Sequence, residues 1–292
     1  MKRAAYDSMA AGTWRRFRRS KLATFALTYV AIMSLIALLA PLLARDGGGL
    51  IPFSPESVKL GERLESPSRM HLLGTDDLGR DICSRMIHGA RVSLTVGFFA
   101  TLIALVVGSL LGAIAGYYGG TADWIVSRII EVVLCFPFLF LVLGIVALFR
   151  PSLTTIMIAL GLTSWTNEAR YVRGEFLRIR DLEFAHAARA IGARDGRIIF
   201  RHLLPNAFAP VLVSASFGVA AAILTESALS FLGLGVPLPT ASWGGILSAA
   251  HEHIEYAWWM ILFPGLAIFF TVASFNVIGE RFRDALDPRS DA

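Results

Sequence analysis

The sequence predicts an all-α membrane protein with six transmembrane helices, and three observations carry that reading. Of 292 residues, 55% are hydrophobic and only 17% charged, with a mean hydropathy of +0.62. That is too apolar for a water-soluble domain. Several apolar runs are long enough to cross a bilayer. One long polar stretch, Asp181–Asn206, interrupts the second half of the chain. The net charge of +5 fits basic flanks held on the inner side of a membrane rather than nucleic-acid binding. Cys83 and Cys135 are the only cysteines, one in a polar segment and one in an apolar run. Neither a disulfide nor a metal spacing follows.

In chain order, Met1–Lys21 is short, polar and basic, with Arg15, Arg16, Arg18, Arg19 and Lys21 crowding the first apolar run. Leu22–Ala44 carries no charge and is long enough to span. A basic start, an apolar run and small residues at its end are also the marks of a signal peptide. The apolar part exceeds a typical signal core, so it reads as an uncleaved anchor. The cluster holds the N-terminus inside. Arg45–Arg91 is the outer segment. Its Asp76-Asp77-Leu78-Gly79-Arg80-Asp81 run lacks an EF-hand spacing and reads as a capped helix start. Leu78, Ile82 and Met86 form an i, i+4 stripe, which predicts a helix lying on the outer membrane face.

Val92–Tyr118 is the second span. Ala100, Ala104, Gly108, Gly112 and Gly116 recur every four residues, a ladder that lets another helix approach closely. That helix belongs either to the same chain or to a neighbouring subunit. Gly119-Gly120 makes the inner turn. Trp124–Phe149 is the third span, with Arg128 and Glu131 paired at i, i+3 and a kink at Pro137. A turn at Arg150-Pro151 leads to the fourth span, Ser152 to Trp165.

The polar stretch follows. Asp181 and Asp195 are each placed to cap a short helix. Phe184, Ala187, Ala188 and Ile191 share one helical face, with Glu183, His186 and Arg189 elsewhere. Gly192 stands at the helix stop. Leu204-Pro205 ends the second helix. A small-residue face of this kind suits docking into a partner's groove.

Ala207–Leu232 is the fifth span. Ser214, Gly218, Ala222 and Glu226 lie four apart, and Glu226 reads as the one acid inside an apolar run. Such an acid is a functional candidate by default. Because about twenty residues cross the core, Glu226 falls near the outer end, where it also suits a structural role as partner of loop N–H groups. Val236–Gly245 forms an outer loop, Trp258–Ile278 the sixth span, and Glu280–Arg289 closes the chain on the inner side.

No nucleotide-binding loop is present. Lys2, Lys21 and Lys59 are the only lysines, and none follows a Gly-x-x-x-x-Gly pattern. His251, Glu252 and His253 are adjacent, so their side chains diverge, and the six His form no ligand set. No nucleophile–base pair or paired-carboxylate site emerges. Two transport classes are left: a permease powered by separate ATPases, or an ion-coupled transporter or channel using Glu226.

Ala187, Ala188, Gly192, Leu204 and Pro205 decide between them, because they match the EAA loop of ABC importer permeases. Glu183, Phe184 and Arg189 flank the match, and His186 stands where that family often has Glu. His71–Asp81, Thr225–Gly235 and Asp284–Arg289 resemble the signatures of the dipeptide/oligopeptide/nickel group, second-permease-subunit type. This resemblance runs from about Trp14 to Arg289. It implies a type I ABC importer permease fold in a bacterial inner membrane, with both termini cytoplasmic. The implied divisions are 1–21 (cytoplasmic tail), 22–44 (first transmembrane helix), 45–91 (periplasmic segment), 92–280 (permease core with a cytoplasmic loop over 170–206) and 281–292 (cytoplasmic tail). The implied partners are a second homologous permease subunit, two ATPase subunits carrying ATP and Mg, an extracytoplasmic substrate-binding protein and the lipid bilayer. No cofactor, metal or nucleic acid is implied for this chain. The implied cargo is a di- or oligopeptide, with nickel complexes, glutathione and peptide-like antibiotics as alternatives.

Overall fold

A computed structural model describes Gly12, Trp14, residues 16–18, 20–150 and 152–286. Most of the expected N-terminal tail, Pro151 and Asp287–Arg289 lie outside the described residues. Helix α1, Lys21–Leu43, starts where Ser20 Oγ accepts the Ala23 N–H at 3.3 Å. Ala23, Ala26, Ala37 and Ala40 form its buried, small-residue face. Tyr29 Oη reaches Thr271 Oγ1 at 3.3 Å and so ties α1 to the last helix.

The expected outer segment folds around buried charge. The His71 ring sits between Asp81 (Nδ1–Oδ1, 2.9 Å) and Glu62 (Nε2–Oε2, 3.1 Å). Asp76 accepts from Arg80 Nε at 2.7 Å and from the Leu78 and Arg80 amides, each at 2.9 Å. The Trp259 indole donates to the Thr75 carbonyl at 3.1 Å. Burial acts to raise the Glu62 carboxyl, but hydrogen bonds from Lys59 and His71 outweigh it and hold the group below the ordinary carboxylate value.

Helix α2 runs unbroken over Ile82–Tyr118, 37 residues capped by Asp81, whose Oδ2 accepts the Ser84 N–H at 2.7 Å. The separate surface helix expected over Leu78, Ile82 and Met86 is therefore absent. Nothing between Ile82 and Tyr118 breaks a helix, and Ile82 is buried with Ile246, Ala257, Trp259 and Met260. At about 1.5 Å per residue, α2 is longer than one crossing of a bilayer core needs.

Gly119 and Gly120, at φ +65° and +50°, reverse the chain into α3, Gly120–Leu134. The expected third span is not one kinked helix. It breaks at Cys135–Pro137, and α4, Phe138–Leu148, leaves at 86°. Pro137 adopts φ −58°, ψ 126°, and its missing N–H and bulky ring turn the expected kink into a full break.

Helix α5, Leu153–Ile179, begins at a Ser152 cap and contains the expected fourth span as its first half. Its second half carries Arg170, Arg173 and Arg178, so the first part of the expected 170–206 loop is helical. Then come α6 (Glu183–Ala190), a single turn at Asp195–Arg197, a π-helical stretch at Ile198–Leu203 and α7, Leu204–Phe231. Leu204-Pro205 does not end a helix. Pro205 sits in the first turn of α7, and the widened π turn before it accommodates a residue with no N–H to give. Short α8, Trp243–Ala250, and α9, Trp259–Leu286, complete the order.

The fold is all-helical, as expected. By length and composition, four helices among the described residues can cross a membrane, or five if the bent α3–α4 pair counts as one. Helix α5 falls outside that count because its second half is polar. The glycine ladder lies against α5 of the same chain. A Cβ on Gly108 would stand 2.5 Å from Glu168 Cβ and 2.7 Å from the Trp165 carbonyl oxygen. One on Gly116 would stand 2.5 Å from Phe176 Cβ, and one on Gly112 would run into the Ala169 carbonyl.

Candidate functional site

The expected inner loop is built on the ends of α2 and α5. Arg180 donates to the Gly116 carbonyl at 3.0 Å, and Arg173 Nη2 pairs with Asp123 at 2.8 Å. Asp181 does not cap α6. Leu182 holds that position without a side-chain cap, while Asp181 faces solvent and pairs with Arg180 Nε at 3.6 Å. Asp195 is likewise not a cap, since Arg194 holds that position. Its carboxylate instead accepts the Tyr117 hydroxyl at 2.7 Å, and the Arg189 guanidinium lies 5.6 Å from the Tyr117 ring.

The expected docking face of α6 divides in two. Ala185 and Ala188 point inward and are buried among Val172, Phe176, Ile198 and Leu203. Phe184, Ala187 and Ile191 stay exposed, Ile191 at 84%. Sequence spacing grouped Ala187 with Ala188, but adjacent helical residues stand about 100° apart, so a flat face accepts only one of them. Glu183, His186 and Arg189 are exposed around the rim. Gly192 adopts φ +77°. Its N–H bonds the Arg189 carbonyl at 2.9 Å and that of Ala193 bonds the Ala188 carbonyl at 3.1 Å, which is the left-handed C-terminal motif a glycine favours. The result is a short helix seated on the core by two alanines, with an apolar edge turned outward.

Glu226 is fully buried, five residues from the end of α7. Its two oxygens accept the hydroxyls of Ser230 at 2.7 Å and Ser93 at 3.1 Å. Those serines in turn accept the Val236 and Trp243 N–H groups, each at 3.4 Å. Glu226 thus serves the loop amides through serine relays rather than directly.

A cavity of about 910 Å³ opens between α2, the α3–α4 break, α5 and α7. Its polar lining includes Ser164, Asn167, Glu168, Arg170, Ser214 and Thr225. Glu226 does not reach it. Glu168 does, and sequence reading passed over this acid by ending the fourth span at Trp165. The signal was present: Trp165, Ala169, Val172, Phe176 and Ile179 continue the helical period, and all are buried. His251 and His253 occupy a short turn, each against an aromatic ring. Among the described residues no group of three or more His, Cys, Asp or Glu is placed to hold a metal.

Comparison with known proteins follows the same lines. The family model described as binding-protein-dependent transport system inner membrane component matches residues 108–291. The model for the N-terminal transmembrane domain of oligopeptide transport permease C matches residues 8–67. The chain is similar to the dipeptide transport system permease protein DppC of Alkalihalophilus pseudofirmus, 44% identical across 96% of this chain and 91% of that one. It is 40% identical to the glutathione transport system permease protein GsiD of Pectobacterium atrosepticum, over 94% and 90% of the two chains. It is 39% identical to the oligopeptide transport system permease protein OppC of Bacillus subtilis, over 94% and 88%. Among solved structures, an inward-facing MetNI methionine ABC transporter shares the fold at a TM-score of 0.58 and 20% identity, covering 70% of this chain and 98% of that one.

Proposed function

This chain belongs to the binding-protein-dependent transport system inner membrane components, and from that premise we propose that it forms half of the membrane pathway of an ABC importer of di- or oligopeptides. It is the multi-pass, non-catalytic subunit of the importer. A second, related permease chain supplies the other half. Two ATPase subunits bind ATP and Mg, and an external binding protein selects the cargo. The dipeptide and oligopeptide relatives support that cargo class over the glutathione of a third. The basic N-terminal run and the arginine-rich inner loop support placing both termini in the cytoplasm.

The observation that carries the reading is the outward edge of α6. Phe184 and Ile191 are exposed on a helix whose opposite side is fixed by Ala185 and Ala188. An amphipathic helix presented this way fits a hydrophobic groove on a partner, and the ATPase is the partner the family requires. Tilting of α6 by the ATPases would then rock the helices it is tied to, a rigid-body route to alternating access. The test is co-purification. Phe184→Asp and Ile191→Asp place a charge in the contact, and the permease should assemble in the membrane but lose its ATPases. Retention of ATPase with normal uptake in both variants would remove α6 as the coupling element.

A further inference from the structure

Glu168 is a carboxylate with half its hydrogen-bonding capacity unused. It is 6% exposed. One oxygen accepts the Ser214 hydroxyl at 2.5 Å. The other has no hydrogen-bond or ion-pair partner among the described residues, and the side chain lines the cavity. Bridging α5 to α7 through Ser214 needs one acceptor and no charge. An ionisable group inside a membrane-spanning bundle commonly marks a solute path. Its depth follows from α5. Glu168 lies fifteen residues beyond Leu153, about 22 Å along the helix, and opposite Gly108 of α2. The surrounding lining is hydroxyl, amide and apolar, with Arg170 as the other charged group, its Nη2 bound to Asn167 Oδ1 at 2.7 Å. Arg170 is exposed, whereas Glu168 is held inside.

We propose that this cavity is a cation-accepting station on the transport path, in which Glu168 contacts the free ammonium group of a passing solute, a peptide's amino terminus being the chemistry that fits. The proposal rests on the reading of the chain as half of a peptide pathway. The free oxygen supplies the negative charge, and Ser164 and Thr225 supply neutral hydroxyls for the rest of the solute. Glu168 acts as a binding residue, and no bond is made or broken.

The test uses the whole transporter in nanodiscs, with Cys83 and Cys135 replaced by Ser. Ser164→Cys puts a thiol one helical turn from Glu168, and Thr225→Cys on α7 is the second reporter should the first misfold. Each is labelled with the cationic reagent MTSET and the anionic reagent MTSES, with Glu168 intact and with Glu168→Gln. Gln keeps the Ser214 bond and removes the charge. In a water-filled cavity a unit charge one helical turn away changes each rate roughly threefold, in opposite directions, and the effect weakens with distance. The MTSET/MTSES ratio should therefore fall about tenfold at Ser164→Cys in the Gln variant, and by less in the same direction at the more distant Thr225→Cys. Arg170→Gln should move the ratio the other way.

Dialanine at millimolar concentration should slow labelling when Glu168 is intact and not in the Gln variant, and N-acetyl-dialanine should slow neither. Labelling by neither reagent at both positions would mean that the cavity is closed to water, and the pathway reading itself would fall. Normal labelling with an unchanged ratio would overturn the role of Glu168 alone. Equal protection by the two peptides, or none by dialanine, would overturn the ammonium contact.

Discussion

Gly112→Ala separates two opposed effects of one methyl group. Alanine is the better helix former by about 1 kcal/mol, so in an open helix the change stabilises. At Gly112 the added Cβ meets the Ala169 carbonyl and lies 3.0 Å from Val172 Cβ. Both obstacles are fixed to the α5 backbone and have no rotamer through which to escape, so α2 and α5 must move apart. Overpacking of this kind costs about 1–3 kcal/mol, and set against the propensity gain it leaves a net loss of up to about 2 kcal/mol. Gly174→Ala is the internal control. Nothing lies within 4 Å of its added Cβ, so it should be neutral to stabilising by up to about 1 kcal/mol. Gly108→Ala should resemble Gly112→Ala, and the double variant should lose less than the sum of the two, because helices already parted for one methyl make room for the next. The assay is thermal unfolding of the detergent-solubilised chain followed by tryptophan fluorescence. A Gly112→Ala protein as stable as Gly174→Ala would refute the claim that backbone contact along the ladder holds the pair.

Other outcomes follow from particular contacts. Glu226→Gln should preserve assembly and uptake, since its amide still accepts one serine hydroxyl. Glu226→Leu should strand the Ser93 and Ser230 hydroxyls and cost about 1–3 kcal/mol in the same thermal assay. Gly192→Asp meets no atom within 4 Å but must adopt φ +77°, so it should cost about 1 kcal/mol and weaken ATPase retention without harming membrane insertion. Arg189→Ala, losing an exposed rim charge, should mainly slow ATPase association and flatten its salt dependence. Because Glu62 sits below its ordinary carboxylate value of 4.5, its stabilising contacts should be intact above that pH and fade as pH falls through the lowered value. Protease susceptibility of the outer segment in acid would report the loss.

The helical class, the inner turn at Gly119-Gly120 and the left-handed stop at Gly192 were legible because each rests on local chemistry. Glycine is the residue that adopts these positive φ values at little cost, so its position announces the turn. What the sequence did not convey depends on who packs against whom. Ala187 and Ala188 are alike in composition, and only the seat made by Phe176, Ile198 and Leu203 decides which faces in. Asp181 and Asp195 are good caps in isolation, but Asp181 pairs with its chain neighbour Arg180, and Tyr117, brought close by the tertiary fold, binds Asp195. Pro137 marked a disruption without its size, since a proline's missing N–H and ring clash produce either a kink or a full break. Glu168 was hidden for a different reason. Its neighbours Asn167 and Arg170 look like the start of a solvent loop, and the apolar period that carries α5 to Ile179 is spread thinly among charges.

The same contacts bear on how motion at the inner loop could reach the membrane interior. A push on α6 has three routes into the helices. Ala185 and Ala188 are buried in the same apolar cluster as Phe176 of α5, Asp195 holds the end of α2 through Tyr117, and Arg180 spans from α5 to the Gly116 carbonyl. All three converge on the α2–α5 pair. From Gly116 upward that pair is joined backbone to backbone at Gly112 and Gly108, without long side chains to absorb a displacement. A close-packed interface transmits a shift rather than damping it. Glu168 lies at the top of this joined section, its Cβ against Gly108. Weakening the ladder should therefore uncouple hydrolysis from uptake even where ATPase binding is untouched. In reconstituted membranes Gly112→Ala should raise the ATP hydrolysed per peptide imported, while Glu226→Gln, off this route, should leave that ratio unchanged. An unchanged ratio in Gly112→Ala, in a complex that retains its ATPases, would show that the load travels by another path.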